Sequence, residues 1–223
     1  MAQKKLAPRQ KMINMMYIVL IALLALNVDR YVLDAFHLME KNFTQSSESY
    51  NQKVASQMIT FGNMLSKERS KTEPYYKAAK EAQKITSEFD SYISSLKEEI
   101  VQLYDGRIEN EDTPSDLTPL KMPEGMEKHA YLFMVQEKGR RGKELQEKIN
   151  TTRDQLLELL KPDKRKLFVS PTPFLMTKRS NLLHAEEPEY VAENRSWASI
   201  HLEYQPAGAL LAMLTQYQNY AKA

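Results

Sequence analysis

From Met12 to Val28 the chain is apolar at every position except Asn14, Tyr17 and Asn27. A helix that is apolar on all its faces, rather than along one stripe, is either enclosed by protein or crosses a membrane. Crossing a hydrocarbon core of about 30 Å takes about 20 residues at 1.5 Å rise. The run sits at the short end of that range, so Gln10 and Lys11 fall at the head-group boundary. A cleaved signal peptide is the rival reading, and the basic start (Lys4, Lys5, Arg9, Lys11) fits one. No small-x-small pair closes the run, however: Ala22 and Ala25 are three apart and Leu26-Asn27-Val28 follows. Residues 12–30 are therefore read as an uncleaved transmembrane helix. The positive-inside rule puts residues 1–11 in the cytoplasm and the rest of the chain outside it, in the periplasm of an inner-membrane protein. About ten cytoplasmic residues are too few for a folded domain, so any signal across the membrane passes through partners.

The pattern continues past the span. Val32, Phe36, Met39, Phe43, Ser46, Tyr50, Val54, Met58, Phe61 and Leu65 recur every three or four residues with no proline between them, which predicts one helix to about Ser70. Ala82, Ile85, Phe89, Tyr92, Leu96, Ile100 and Leu103 predict a second. The tract DGRIENEDTPSDLTPLKMPEG (105–125) is rich in proline, glycine and acid and predicts a surface loop. A third helix is expected from near Met126 through Leu145, Ile149, Leu156 and Leu160 to Pro162, with Gly139 and Gly142 inside it. Prolines then interrupt as far as Pro206, which suggests irregular chain or short strands around RSWASIHLEY, and GALLAMLTQYQNYAKA closes the sequence as a last helix. The fold class is all-α: a single transmembrane helix continuing into a periplasmic up-and-down four-helix bundle over 31–223, with a Pro-rich irregular segment before the last helix.

Composition removes several functions. A net charge of +2 with 27% charged residues gives no reason to expect nucleic acid. The absence of cysteine excludes disulfides, thiol catalysis and cysteine-type zinc sites. His37, His129, His184 and His201 show no metal-ligand spacing, and there is neither a Gly-rich phosphate loop nor a GxSxG elbow. The twelve methionines read as core filling. Sequon matches at Asn42, Asn150 and Asn194 carry little weight, two of them falling in predicted helices. No enzyme activity, metal or cofactor is expected.

The polar groups around the span remain to be explained. At about 100° per residue, Gln10, Asn14, Tyr17, Ile21 and Leu24 share one stripe, and Arg9 and Asn27 share another face. Snorkelling accounts for Arg9 and Lys11. It does not account for Tyr17, about 9 Å deeper than Lys11 along the axis, or for Asn14, whose amide needs a partner that lipid does not supply. Arginine keeps its proton in a protein, and no Asp or Glu precedes Asp29. If protons flow here, the carboxylate that carries them comes from a partner helix, with Arg9 as its counter-charge.

The opening APRQKMINMMYIVLIALLALNVDRYVLDAFHLME resembles the GldM/PorM family, the single-span subunit of the type IX secretion and gliding motor of Bacteroidota. The resemblance implies a homodimer whose spans are enclosed by a ring of a GldL/PorL-like polytopic membrane protein bearing an intramembrane glutamate. It implies rotation driven by the proton gradient, and output to periplasmic and outer-membrane secretion components. The family's functional arginine and tyrosine match Arg9 and Tyr17 by motif position. Gln10, Lys11, Asn14 and Asn27 stand beside them as further candidates for contact with the partner in the membrane. Family members look longer, continuing into further periplasmic domains. The alternative is a passive membrane-anchored scaffold without energy coupling. A chemoreceptor-like sensor fits less well, because GALLAML is far too short for a second span.

Overall fold

A computed structural model describes residues 8–109, 118–159, 183–186 and 196–223, with residues 22–29 described by their backbone alone. Helix α1, Pro8–Lys67, runs 60 residues without a break, about 90 Å at 1.5 Å per residue. Little in its sequence opposes this. Pro8 suits the first turn, no proline follows, and the one glycine, Gly62, has no neighbour within 4 Å of where a side chain would begin. Glycine inside an exposed helix costs about 0.5–1 kcal/mol relative to alanine. Gly62→Ala is expected to raise the thermal midpoint of the purified protein by about 1–4 °C, followed by circular dichroism. An unchanged midpoint would mean that this stretch is not helical in solution.

Helix α2, Arg69–Leu103, follows after a single residue, Glu68. Glu68 leaves helical geometry (φ −133°, ψ 68°), yet its N–H still donates to Met64 at 2.9 Å and its carbonyl accepts from Thr72 at 3.1 Å. The corner reverses the chain. Far down the two arms, Lys222 Nζ reaches both Ser47 on α1 and Asp90 on α2 at 2.8 Å. The second helix thus starts at Arg69, not near Ala82, and takes Pro74 into its opening turns. There the missing N–H forfeits the bond to the Ser70 carbonyl, one turn inside the helix.

The expected third helix is broken in two. Helix α3, Glu127–Ala130, passes into a π-helical turn at Tyr131–Val135, and right-handed geometry is lost at Glu137 (φ 52°), Lys138 (φ 60°) and Gly139 (φ 74°) before α4, Arg140–Leu159. Each non-glycine residue held left-handed costs about 1–2 kcal/mol. Packing on both sides fixes the turn. Leu132 and Phe133 are buried, and a Cβ on Gly142 would stand only 2.9 Å from Ala198 and 3.0 Å from the Phe133 carbonyl. The segment around Trp197, expected to be irregular or extended, is helical and contains a second π-helical turn, Ser199–Glu203. Among the described residues there is no strand, only an isolated antiparallel bridge between Arg107 and Leu120. Much of the expected loop (110–117) and of the Pro-rich stretch (160–182, 187–195) lies outside the described residues, as does the third sequon asparagine, Asn194.

Helix α5, Ala207–Lys222, closes the bundle. Gly208 lies against Phe36, Asn219 Nδ2 donates to the Phe43 carbonyl at 2.9 Å, and Lys222 reaches Ser47. So α5 runs parallel to α1 and antiparallel to α2, where Lys97 meets Thr215 at 2.6 Å and Asp90 meets Lys222. Helix α4 also runs against α2, with Arg141 on Glu99 at 2.6 Å and Glu144 near Tyr92. A strict up-and-down order therefore does not hold: α1, α4 and α5 point one way and α2 the other.

The core lies between α2, α4 and α5. Phe89, Ile93, Leu96 and Ile100 face Leu145, Ile149, Leu210, Leu211 and Leu214, with Trp197 and Leu202 completing it. Each such side chain contributes about 1.5–3 kcal/mol on burial. Asn150 pins residues 183–186 to α4, its side chain bonding both the carbonyl (2.9 Å) and the N–H (3.0 Å) of Ala185. Helix α1 stands outside this core. Of its described residues only Glu40 is buried, and Val32 and Met39, expected on its apolar face, are 45% and 49% exposed. The face it turns to the bundle keeps Phe36 and Phe43 from the expected stripe and adds Glu40 and Ser47. Beyond the end of α5, α1 and α2 continue as a two-helix arm in which no residue from 48 to 88 is buried.

Candidate coupling site along helix α1

Arg9, Gln10, Lys11, Asn14 and Tyr17 all lie on α1 with exposed side chains, and all belong to one rigid element with the contacts further up. The side chain of Asn27 falls outside the described residues. Around the stripe, Met12, Met15, Met16, Ile18, Leu20 and Ile21 are 62–70% exposed and point to every side of the helix. An apolar collar of this kind demands a covering that the other described residues do not provide. Among the described residues no helix is long and apolar enough to cross a membrane. The side chains of 22–29, which complete the apolar run in sequence, are outside that description.

Near the middle of the same helix α1 meets the domain. Arg107 grips Glu40 with both prongs, Nη2 to Oε1 at 2.5 Å and Nη1 to Oε2 at 3.3 Å, and Nη1 also donates to the Thr118 carbonyl at 2.6 Å. The two side chains are 10% and 4% exposed. Arg107 is itself anchored by its bridge to Leu120 and by the bond from Ile108 N–H to the Pro119 carbonyl at 2.9 Å. One turn below Glu40, His37 is half-buried, and its Nδ1 has no hydrogen-bond partner among the described residues. Burial holds its pKa below the ordinary value, Arg107 and Lys41 add to that, and Glu40 opposes it. The sequence pattern did not single out Glu40. The one available signal was an acidic residue immediately beside an apolar stripe, which alone is too common to select it.

The remaining polar chemistry is structural. A groove of about 1190 Å³ opens between α1, α2 and α5. Its polar groups are bonded across it: Gln218 to Asp90 at 2.9 Å and Ser94 at 3.0 Å, and Lys222 to Asp90 and Ser47. His129, fully buried, pairs through Nδ1 with the Tyr104 hydroxyl at 2.8 Å, while its backbone N–H approaches the same hydroxyl at 3.3 Å. Burial lowers its pKa, against the partial pull of the Gln205 and Leu202 carbonyls. Its neutral ring thus acts as a hinge-pin between α2 and α3. Among the described residues no three His, Asp or Glu side chains stand together to hold a metal ion.

This combination defines an all-helical domain built on one rod, with an uncovered apolar end below the bundle and a two-helix arm above it. Over residues 31–223 the sequence matches the family model of the GldM N-terminal domain. The chain belongs to that family and so to the gliding and type IX secretion machinery. No curated protein matches the chain. The family match begins at Tyr31, after the polar stripe.

Proposed function

We propose that the chain is the proton-driven motor subunit of this machinery, anchored in the inner membrane by residues 12–30 with its N-terminus in the cytoplasm. Two copies of the span stand inside a ring of a GldL/PorL-like partner, whose intramembrane glutamate faces Arg9 and Tyr17. Gln10, Lys11, Asn14 and Asn27 line the same contact. No catalysis by the chain itself is involved. It converts movement at the stripe into movement of a stiff periplasmic rod that acts on the outer-membrane machinery. One elementary charge crossing the membrane contributes about 2.3 kcal/mol per 100 mV, enough for a mechanical step against a few hydrogen bonds.

The observation that carries this reading is the unbroken helix from Pro8 to Lys67, which joins the stripe to the domain with no joint between them. A passive tether needs only an anchor and gains nothing from such stiffness. The test is copurification from mild detergent. A polytopic partner with a glutamate inside the membrane is expected to accompany the full chain, and a charge-reversed partner glutamate should weaken its retention. If no such partner ever accompanies the chain, the ring arrangement fails and passive tethering stands.

A further inference from the structure

The single buried residue among the described positions of α1 is a glutamate, and its partner is an arginine from the loop after α2. Stability does not explain the choice. A buried ion pair gives up the hydration of two charges, and replacing it with apolar residues of similar volume is often neutral or stabilising. What the pair supplies is direction. A two-pronged guanidinium–carboxylate contact holds only in a narrow range of orientations, whereas apolar burial is non-directional. The other contacts on this face are non-directional or single: Phe36 packs on Gly208, Asn219 bonds one carbonyl, and Lys222 bonds one hydroxyl. Turning α1 by one residue position, about 100°, would carry Glu40 away from both prongs at once.

We propose that the Glu40–Arg107 pair is the rotational key between α1 and the domain: it fixes the register in which torque from the span enters the bundle. This rests on the motor reading above. The Arg107 prongs are braced by the Thr118 carbonyl and by the bridge to Leu120, so the key is seated in the domain and engages the rod. Glu40 and Arg107 are thus positioning residues, remote from the stripe where charge moves.

The chain has no cysteine, and the Cβ of Phe36 lies 3.8 Å from where a Cβ on Gly208 would be. That separation is the usual one across a disulfide, about 3.8 Å. Phe36→Cys with Gly208→Cys is therefore a removable lock between α1 and α5. In the paired variant Glu40→Leu with Arg107→Met, the full complex is expected to assemble with an unchanged or raised thermal midpoint but to lose gradient-driven secretion. The oxidised lock should restore secretion and reduction should remove it again. In the otherwise unaltered chain, the oxidised lock should leave secretion intact. Secretion at the normal rate from the paired variant, no rescue by the lock, or arrest of the unaltered chain by the lock would each overturn the proposal. Arg9→Ala run in parallel separates this from failure of the motor reading itself. A register measurement that needs no secretion does the same: disulfide formation between the two cysteines in purified complex should be slower without the Glu40–Arg107 pair, and equal rates would overturn the key.

Discussion

Arg9→Ala is expected to abolish gradient-driven secretion while leaving the complex assembled. The guanidinium stays charged at every accessible pH, so in the proposed motor it would serve as a permanent counter-charge to a partner carboxylate that gains and loses a proton. Without it, a glutamate inside the bilayer has its pKa driven up by desolvation and stays protonated. Proton exchange then stalls although the helices still pack. Arg9→Lys keeps the charge but loses the planar fork, so partial activity is expected. Tyr17→Phe removes one hydroxyl from the adjoining stripe of Gln10 and Asn14 and should reduce the rate without stopping it. Secretion and complex recovery are to be measured separately for each variant. Normal secretion from both Arg9→Ala and Tyr17→Phe, with unchanged assembly, would remove the stripe from the mechanism.

Gly125→Ala is expected to destabilise the domain by about 1–3 kcal/mol or more, through overpacking. The added methyl would lie 2.2 Å from Tyr104 Cε1 and 2.8 Å from Cδ1. That ring has nowhere to go. It is 2% exposed, its hydroxyl is tied to His129 at 2.8 Å, and Lys128 lies over its face. Moving the backbone instead disturbs the last helix, because the Gly125 carbonyl holds the N–H of Ala207 at 2.9 Å and the Pro123 carbonyl holds that of Gly208 at 3.0 Å. One methyl group therefore strikes the α2–α3 hinge-pin and the start of α5 together. Chemical denaturation of the purified protein measures the loss. An unchanged denaturation midpoint would mean that Tyr104 has room the packing does not show.

What the pattern of residues conveyed, and what it hid, follows from which forces are local. The long helix to about Ser70 was legible because its periodicity and lack of proline act within single turns. The start of α2 was not, since Pro74 reads as a stop and yet lies inside the helix. Nothing local at Glu137 or Lys138 announces a left-handed turn. Burial of Leu132 and Phe133 on one side and the close approach of Gly142 on the other impose it, and only Gly139 hinted at a break. The direction of α5 likewise is set by contacts remote in sequence, such as Asn219 on Phe43 and Lys222 on Asp90. Around the candidate site, the pattern alone puts Arg9, Asn14 and Tyr17 on one helix, as the structure has them, whereas Glu40 became visible only once Arg107 was seen against it.

Glu40 also divides α1 into two nearly equal lengths. About 35 Å of helix separates it from Tyr17 and about 40 Å separates it from Lys67, by helical rise. A rod gripped near its middle behaves as a rocker on a fulcrum as well as an axle. A tilt of about 10° at the grip would swing the free tip of the arm through roughly 7 Å, with a similar, opposite displacement at the membrane end. In the proposed motor, small excursions at the Tyr17 end of the rod would thus reappear, undiminished and reversed in sense, at the far tip of the arm.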